Sequence, residues 1–260
     1  MFTIIIANYN RTDELKRCLD SIEIAFDGFS EPEVIVVEDA SDHILSDKRI
    51  THHLMLDKNG GPVRARLAGV KVAKFEYILL LDSDDSLLES SVYTIKNVME
   101  KNPGFDSYGF TFSGGERLVD FEIKSIDDYC DFVSDKDRTS DYIMLIKKDV
   151  LSKYVASHSF RISEIWLFSE MFIRHTGFYS GESIFNYHQD AKEQLSKKRL
   201  FSFKIDRYER RSVSKSAEFF IAFIAKYKSE SFIFAWRKRL IKESFLYFNL
   251  KALYRILCLK

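Results

Sequence analysis

Three carboxylates follow an apolar run in the segment ILLLDSDDS, residues 78–86. Asp82, Asp84 and Asp85 would repel one another at close range, so such a cluster usually serves a cation or a catalytic cleft. Mg²⁺ or Mn²⁺ takes one or two carboxylates together with phosphate oxygens and water. The alternative is a solvated loop before a helix, where Asp and Ser are common turn and capping residues. Both interpretations remain open on these residues alone.

Several other kinds of site do not fit the sequence. A calcium-binding EF-hand loop starting at Asp82 would require Gly and Glu where Leu87 and Tyr93 stand. The chain has no GxxxxGK[ST] loop, no GxGxxG turn and no HExxH pair. Its three cysteines are far apart and form no CxxC pair, which argues against a zinc site or a disulfide framework and indicates a reducing compartment.

The first 100 residues alternate apolar strands with helices, which predicts a mostly parallel sheet covered by helices on both faces. We expect Thr12 to cap the first helix, and Pro103 to end the last helix of this region. In such sheets ligands bind beyond the carboxyl ends of the strands. Residues 8–10, 38–39 and 82–84 all occupy such ends, so we expect them to converge on one edge. Residues 105–160 are expected to form further strands and loops.

Length and composition predict either one large domain or one domain with a small appendage. The chain has 260 residues, of which 46% are hydrophobic, enough to bury a core. The amino-terminal MFTIIIANYN lacks the basic start of a signal peptide. The apolar run at 219–225 is shorter than the roughly 20 residues that span a bilayer. We therefore expect a soluble or peripheral cytoplasmic protein.

Four segments in fixed order resemble the inverting nucleotide-sugar glycosyltransferases of family 2: TIIIANYNR, VIVVEDASD, NGGPVRARLAGV and YILLLDSDDS. A looser similarity continues through SEIWLFSEMFIR and FNYHQD. The resemblance implies a Rossmann-like α/β domain with the GT-A fold over residues 1–196. Residues 1–100 would bind the nucleotide and residues 101–196 the acceptor.

The resemblance implies donor-binding roles for individual residues. Tyr9 matches the aromatic residue that stacks on the uracil ring, beside the backbone of Ala7. Asp39 matches the carboxylate that accepts the imide N–H of uracil. Arg66 matches an arginine near the base and pyrophosphate, and Asp82 matches the residue that contacts the ribose. Here Ala7 replaces the proline that is usual in the family.

The metal and the catalytic base also follow from the resemblance. Asp84 matches the ligand of Mn²⁺ or Mg²⁺, and Ser83 beside it belongs to the donor site. His188 occupies the position of a third metal or diphosphate contact in some relatives, although an ordinary loop histidine is an alternative. Relatives commonly have Glu-Asp where this chain has Glu164 and Ile165. Glu164 is thus the candidate general base, and a surface role for it remains open.

Residues 197–260 form a basic extension that the resemblance does not cover. This extension has 17 Lys and Arg against 5 Asp and Glu, a charge of +12, whereas residues 1–196 carry −12. On a helical wheel of residues 233–248 most apolar side chains share one broad face, and Lys238, Arg239 and Lys242 lie opposite. The pattern is typical of a helix at an anionic membrane surface. The alternative is a face that packs on the domain or on a second subunit; we expect no nucleic acid partner.

The expected function is transfer of a sugar, with inversion, from a nucleotide-sugar donor to a hydroxyl of a saccharide acceptor. A UDP-sugar is the expected donor, and a hexosyltransferase the expected type. The basic extension suggests a lipid-linked acceptor in cell-surface polysaccharide assembly, on the inner face of the cytoplasmic membrane. Two alternatives stay open: a nucleotidyltransferase or phosphohydrolase, and a non-catalytic UDP-binding protein at the membrane.

Overall fold

The computed structural model of the protein describes residues 1–114, 119–134, 142–154 and 164–188, with Ile241, Tyr254, Leu257 and Cys258. The strands are β1 (Phe2–Asn8), β2 (Glu33–Glu38), β3 (His52–Met55), β4 (Tyr77–Asp82), β5 (Ser86–Leu87), β6 (Ser107–Phe112), β7 (Phe121–Ile123), β8 (Ile143–Lys147) and β9 (Gly177–Asn186). The helices are α1 (Thr12–Ala25), α2 (Pro62–Val70), α3 (Ser91–Lys101), α4 (Ile126–Ser134), α5 (Lys148–Ser152) and α6 (Glu164–Met171).

Within these residues the strands form one sheet, in the order β3-β2-β1-β4-β8-β6-β9-β5, with β7 paired to β9. Strands β1 to β4 run parallel, β8 is antiparallel to both β4 and β6, and β9 is parallel to β6. The sheet is therefore parallel across β3, β2, β1 and β4, as expected, and mixed beyond β4, where β5 and β7 also pair antiparallel with β9. It continues without interruption from the nucleotide half predicted from the sequence into the acceptor half.

Two apolar clusters cover the two faces of the sheet. Successive residues of β1 alternate between them, because Ile4 and Ile6 belong to one cluster and Ile5 to the other. Helices α1 and α3 pack on the Ile4 face, and α2, α4, α5 and α6 on the Ile5 face. Burial on both faces explains why the strands read as continuous apolar runs rather than alternating ones.

Helix α1 buries the face predicted from the sequence, with Leu15, Leu19 and Ile22 in the core. The predicted cap was wrong: Thr12 is the first helical residue, Arg11 holds the capping position, and no side chain caps this end. A threonine inside the first turn cannot act as a cap, because the capping residue must itself lie outside the helix.

Helix α2 lies close to the sheet because Gly69 faces it. A Cβ built on Gly69 would lie 2.8 Å from Cγ2 of Ile5 and 3.3 Å from Cγ2 of Val37. The first distance is shorter than real carbon contacts and the second is tighter than most, so a larger residue would push α2 outward. The small-residue character of this segment thus fixes the height of α2 above β1 and β2.

The segment predicted as strands and loops between 105 and 160 contains more helix than expected. Strand β6 and strand β8 are present, but α4 and the short α5 also form in the described parts of this region. None of the helices within the described residues is long and apolar enough to cross a membrane.

Most of the basic extension lies outside the described residues. Ile241, from the apolar face of the helical wheel, is helical, partly buried and packed against the cluster on the Ile5 face. At this position the apolar face contacts the domain. The predicted boundary at residue 196 also falls outside the described residues.

Candidate active site at the carboxyl edge of the sheet

The register of the parallel strands aligns their polar ends. Ala7 of β1 pairs with Val37 on one side and with Asp82 on the other, and Asn8 pairs with Glu38. The residues that follow β1 therefore lie between the end of β2 and the end of β4. Tyr9, the first residue past β1, is 37% exposed at this edge.

Asp39 shapes the glycine turn that opens α2. One of its carboxylate oxygens accepts the N–H of Gly60 at 2.8 Å, and the other accepts the N–H of Gly61 at 2.7 Å. Gly61 has a φ of 83°, a conformation that suits glycine. Asp39 is only 4% exposed. The residue predicted to bind the base is therefore rigidly fixed by the turn that precedes Arg66.

Arg66 joins two carboxylates from distant parts of the chain. Its guanidinium forms an ion pair with Asp82 at the end of β4 and another with Glu164 at the start of α6. The Arg66 side chain is 9% exposed, whereas those of Asp82 and Glu164 are 50% and 41% exposed. The arginine side chain is thus more buried than the two acids, which are both partly exposed to solvent.

Asp84 is held by arginines from α1 and its preceding loop. The Nη1 atom of Arg11 lies 2.9 Å from Oδ1 of Asp84, and Nη2 of Arg17 donates to the Asp84 carbonyl at 3.0 Å. Both side chains of the Arg11–Asp84 pair are largely buried, at 18% and 12% exposed. The pair therefore brings a positive charge to the carboxylate predicted to bind the metal.

His188 lies beside the acidic segment, residues 82–85, because the pairing of β5 with β9 sets Ser86 opposite Asn186. Its Nε2 atom lies 2.8 Å from the Ser86 hydroxyl, and its backbone N–H donates to Asp85 at 3.4 Å. In the same segment Ser83 is buried, and within the described residues its hydroxyl has no hydrogen-bond partner. His188 therefore lies beside Asp85 and Ser86, and its predicted contact with a metal or a diphosphate stays a prediction.

The carboxylates of the acidic segment affect the pKa of the Cys18 thiol on α1. Burial raises the pKa of its thiol well above the usual value, and the charges of Asp85, Asp82 and Asp84 raise it further. Sγ of Cys18 lies 3.7 Å from the Asp82 carbonyl. Cys18 is therefore a neutral thiol that packs beneath the site and has no nucleophilic role there.

The side chains fit a divalent cation only in part. No group of three or more His, Cys, Asp or Glu side chains converges anywhere in the described portion of the chain. Asp84 does offer carboxylate oxygen, and Mg²⁺ is commonly held by one or two carboxylates, phosphate oxygens and water. The donor set therefore matches a cation whose shell is completed by a bound diphosphate, rather than an all-protein cage.

Sequence reasoning missed the partners that hold the acids in place. Arg11 and Arg17 contact Asp84, and Glu38 accepts hydrogen bonds from the residues around it. Arg11 follows Asn10 directly in the motif NYNR, so its position beside the site could have been inferred from the strand end. The pairing of Arg11 with Asp84 depends on the tertiary fold, and no pattern in the sequence predicts it.

Comparisons with known proteins agree with this geometry. The family model described as Glycosyl transferase family 2 matches residues 3–154. The uncharacterized glycosyltransferase YwdF of Bacillus subtilis (strain 168) is 32% identical over 128 residues, covering 47% of this chain and 44% of YwdF. The poly(ribitol-phosphate) beta-glucosyltransferase of Bacillus spizizenii is 30% identical over 109 residues, covering 38% of this chain and 17% of that enzyme. The chain thus spans less than half the length of either relative.

The fold matches solved structures over nearly the whole chain. The structure of S. aureus TarS 1–349 in complex with UDP-GlcNAc has a TM-score of 0.55 and 15% identity, covering 98% of this chain and 89% of that one. At that identity the match establishes the GT-A fold, and the family match extends over more than half of the sequence. The chain belongs to glycosyl transferase family 2.

Proposed function

We propose that the protein transfers a sugar from a nucleotide-sugar donor, a UDP-sugar, to a hydroxyl of a saccharide acceptor with inversion at the anomeric carbon. The observation that carries the proposal is the convergence of Tyr9, Asp39, Arg66, Asp82 and Asp84 on one edge of the sheet. These side chains offer a stacking surface, acceptors for N–H and O–H groups, and charges suited to a diphosphate. The UDP-GlcNAc bound to TarS supports the same donor class.

The proposed donor contacts run along the edge of the sheet, from the ends of β1 and β2 to the end of β4. Tyr9 stacks on the uracil beside the backbone of Ala7, and Asp39 accepts the imide N–H through its remaining acceptor capacity. Asp82 and Ser83 take the ribose hydroxyls. The buried Ser83 hydroxyl supports this assignment, because a polar group without a protein partner gains a hydrogen bond when a ligand hydroxyl arrives.

In the transfer step the acceptor oxygen attacks the anomeric carbon from the side opposite the diphosphate. The bond from that carbon to the diphosphate oxygen breaks, and the nucleoside diphosphate leaves with the electron pair. The acceptor proton passes to a protein carboxylate, which we assign to Glu164. Arg66 fixes the position of this carboxylate relative to Asp82 of the donor site.

A divalent cation, Mn²⁺ or Mg²⁺, would be held by Asp84, with His188 near enough to serve the cation or the diphosphate. When bound, the cation stabilises the charge that develops on the leaving diphosphate. Arg11 must move away from Asp84 to make room for it. The released guanidinium then suits the diphosphate itself, because arginine pairs well with phosphate oxygens.

Replacing Asp84 tests the metal assignment. We expect Asp84→Asn to lower kcat by about 10²- to 10³-fold, since an amide binds a hard cation poorly. EDTA should inactivate the wild-type enzyme, and Mn²⁺ or Mg²⁺ should restore it while leaving the variant inactive. Circular dichroism should show an intact fold, while the unfolding midpoint should fall by a few degrees because the largely buried Arg11 loses its charged partner Asp84.

Asp27→Asn is the matched control, because Asp27 is an exposed carboxylate in the connection between α1 and β2. It should keep full activity and full metal dependence. Wild-type activity that survives thorough EDTA treatment would contradict the metal-dependent mechanism.

Replacing Glu164 tests the base. Glu164→Gln keeps an oxygen for Arg66 but removes the basic carboxylate, so kcat should fall at least about 100-fold while the Kd for UDP changes little. Steady-state kinetics and calorimetry measure the two quantities separately. Glu170→Gln on the same helix is the control, since six residues place Glu170 about 9 Å further along the axis.

A near wild-type kcat for Glu164→Gln would remove this residue from the mechanism. A large loss in Glu170→Gln alone would move the base along α6. Asp190, a further acid that could substitute for Glu164, lies outside the described residues.

We further propose a lipid-linked saccharide acceptor in cell-surface polysaccharide assembly, on the cytoplasmic face of the membrane. The relative named for glucosyl transfer to poly(ribitol phosphate) supports a polymer-related acceptor. The charge of +12 in residues 197–260 supports attraction to anionic headgroups. Because Ile241 packs on the domain, the cations rather than the whole apolar face are the proposed contact with lipid.

Liposome sedimentation distinguishes membrane contact from packing. Removing residues 230–260, which carry +5 of the +12, should weaken binding to anionic vesicles, and raised salt should weaken binding of the intact chain because the attraction is screened. A variant with Lys238 and Lys242 changed to Gln should bind these vesicles about 10-fold more weakly but keep its unfolding midpoint. Equal binding of this variant and the wild type would contradict the electrostatic contact.

A further inference from the structure

A buried carboxylate that the proposed chemistry does not use lies next to the donor site. Glu38, the last residue of β2, has no exposed surface. Its Oε2 accepts a hydrogen bond from Nδ2 of Asn8 at 2.9 Å and another from the hydroxyl of Ser41. Its Oε1 lies 3.1 Å from Nε2 of His53. Glu38 therefore connects the carboxyl ends of β1 and β2 with β3.

Ser41 extends this network to the loop that follows β1. The Ser41 hydroxyl accepts the backbone N–H of Asn10 at 3.1 Å while it donates to Glu38. In return, Oδ1 of Asn10 accepts the backbone N–H of Asp42 at 2.7 Å. The loop after β1 and the loop after β2 are thus tied together in both directions, with Ser41 at the centre.

The backbone of both loops is held in an unusual conformation. Asn10 has a φ of 53° and Ala40 a φ of 64°, and among the described residues these are the two non-glycine positions with positive φ. Asparagine tolerates this region, but alanine does so at a cost in free energy. Such conformations persist where surrounding contacts over-determine them, and they cluster at ligand sites. Each strained residue here is the direct neighbour of a residue assigned to the donor.

We propose that Ser41 is a positioning residue for the nucleotide: its hydroxyl joins the loop that carries Tyr9 to the buried Glu38 and so sets the distance between Tyr9 and Asp39. The inference rests on the donor site proposed above. Ser41 itself does not touch the base. It acts through the two loops, whose separation decides whether one uracil ring can stack on Tyr9 and reach Asp39 together.

A fixed distance between Tyr9 and Asp39 should affect binding of the nucleotide more than the sugar-transfer step. The nucleoside pocket lies at the β1 and β2 ends, whereas the proposed reacting groups lie at β4 and α6. Loosening the two loops should therefore weaken the complex with the nucleotide and leave turnover of the bound donor almost unchanged. A residue needed only for folding would instead reduce stability, affinity and turnover together.

Calorimetric titration with UDP in the presence of Mn²⁺ tests the proposal on the full chain. Ser41→Ala should raise the Kd for UDP about 10-fold, the effect of losing one hydrogen bond to a charged group. The KM for the donor should rise in parallel, with kcat at saturating donor within about twofold of wild type. The unfolding midpoint should fall by only a few degrees, because the buried Glu38 carboxylate loses one of its hydrogen-bond donors. Ser41→Thr keeps the hydroxyl and should restore the wild-type Kd.

Ser46→Ala is the matched control, because Ser46 is exposed in the same connection between β2 and β3. It should bind UDP as the wild type does. If the wild type binds UDP and Ser41→Ala binds it equally well, the positioning role is wrong and the donor site stands. A parallel fall in stability, affinity and kcat would also overturn the role in favour of a structural one. If the wild type itself does not bind UDP, the proposed donor fails and this inference fails with it.

Discussion

The guanidinium of Arg66 connects the two halves of the site, because it pairs with Asp82 on β4 and with Glu164 on α6. A charge this deeply buried is tolerated only when it is paired, so the arginine and its two acids must be placed together. The close approach of α2 at Gly69 and the turn held by Asp39 both serve that placement. One guanidinium thus joins the end of β4 to the start of α6.

The remaining acids at the sheet edge follow the same rule, since each carries its own compensating group. Asp39 accepts two backbone N–H groups, Asp84 pairs with Arg11, and Glu38 contacts His53. This compensation explains how carboxylates can crowd one edge of a sheet without destabilising it. Under the proposed function, a diphosphate and its cation would bind by exchanging partners, with Arg11 passing from the Asp84 carboxylate to a phosphate.

Much of the sheet could be predicted from the sequence, because strands buried on both faces give continuous apolar runs and their polar ends must meet at one edge. The motif order predicted that Asp39 and Asp84 lie at this edge, and their roles in binding stay predictions. What escaped prediction depends on side-chain distances or on distant register: the pairing of Arg11 with Asp84, the link from Ser41 to Glu38, and the β5–β9 pairing that brings His188 to the acids. The predicted cap Thr12 lies one residue after the observed capping position, Arg11, because a capping role depends on where the first helical turn begins.

Thermal unfolding with a panel of nucleotides and Mn²⁺ tests most directly whether the edge of the sheet binds a uridine diphosphate sugar. A ligand that binds only the native state at about 100 times its Kd adds about 2.7 kcal/mol, which should raise Tm by several degrees. We expect this shift for UDP and at least one UDP-sugar, and its loss in Asp39→Asn. A shift produced only by nucleoside triphosphates, with pyrophosphate released, would show that the donor is not a UDP-sugar and indicate a nucleotidyltransferase.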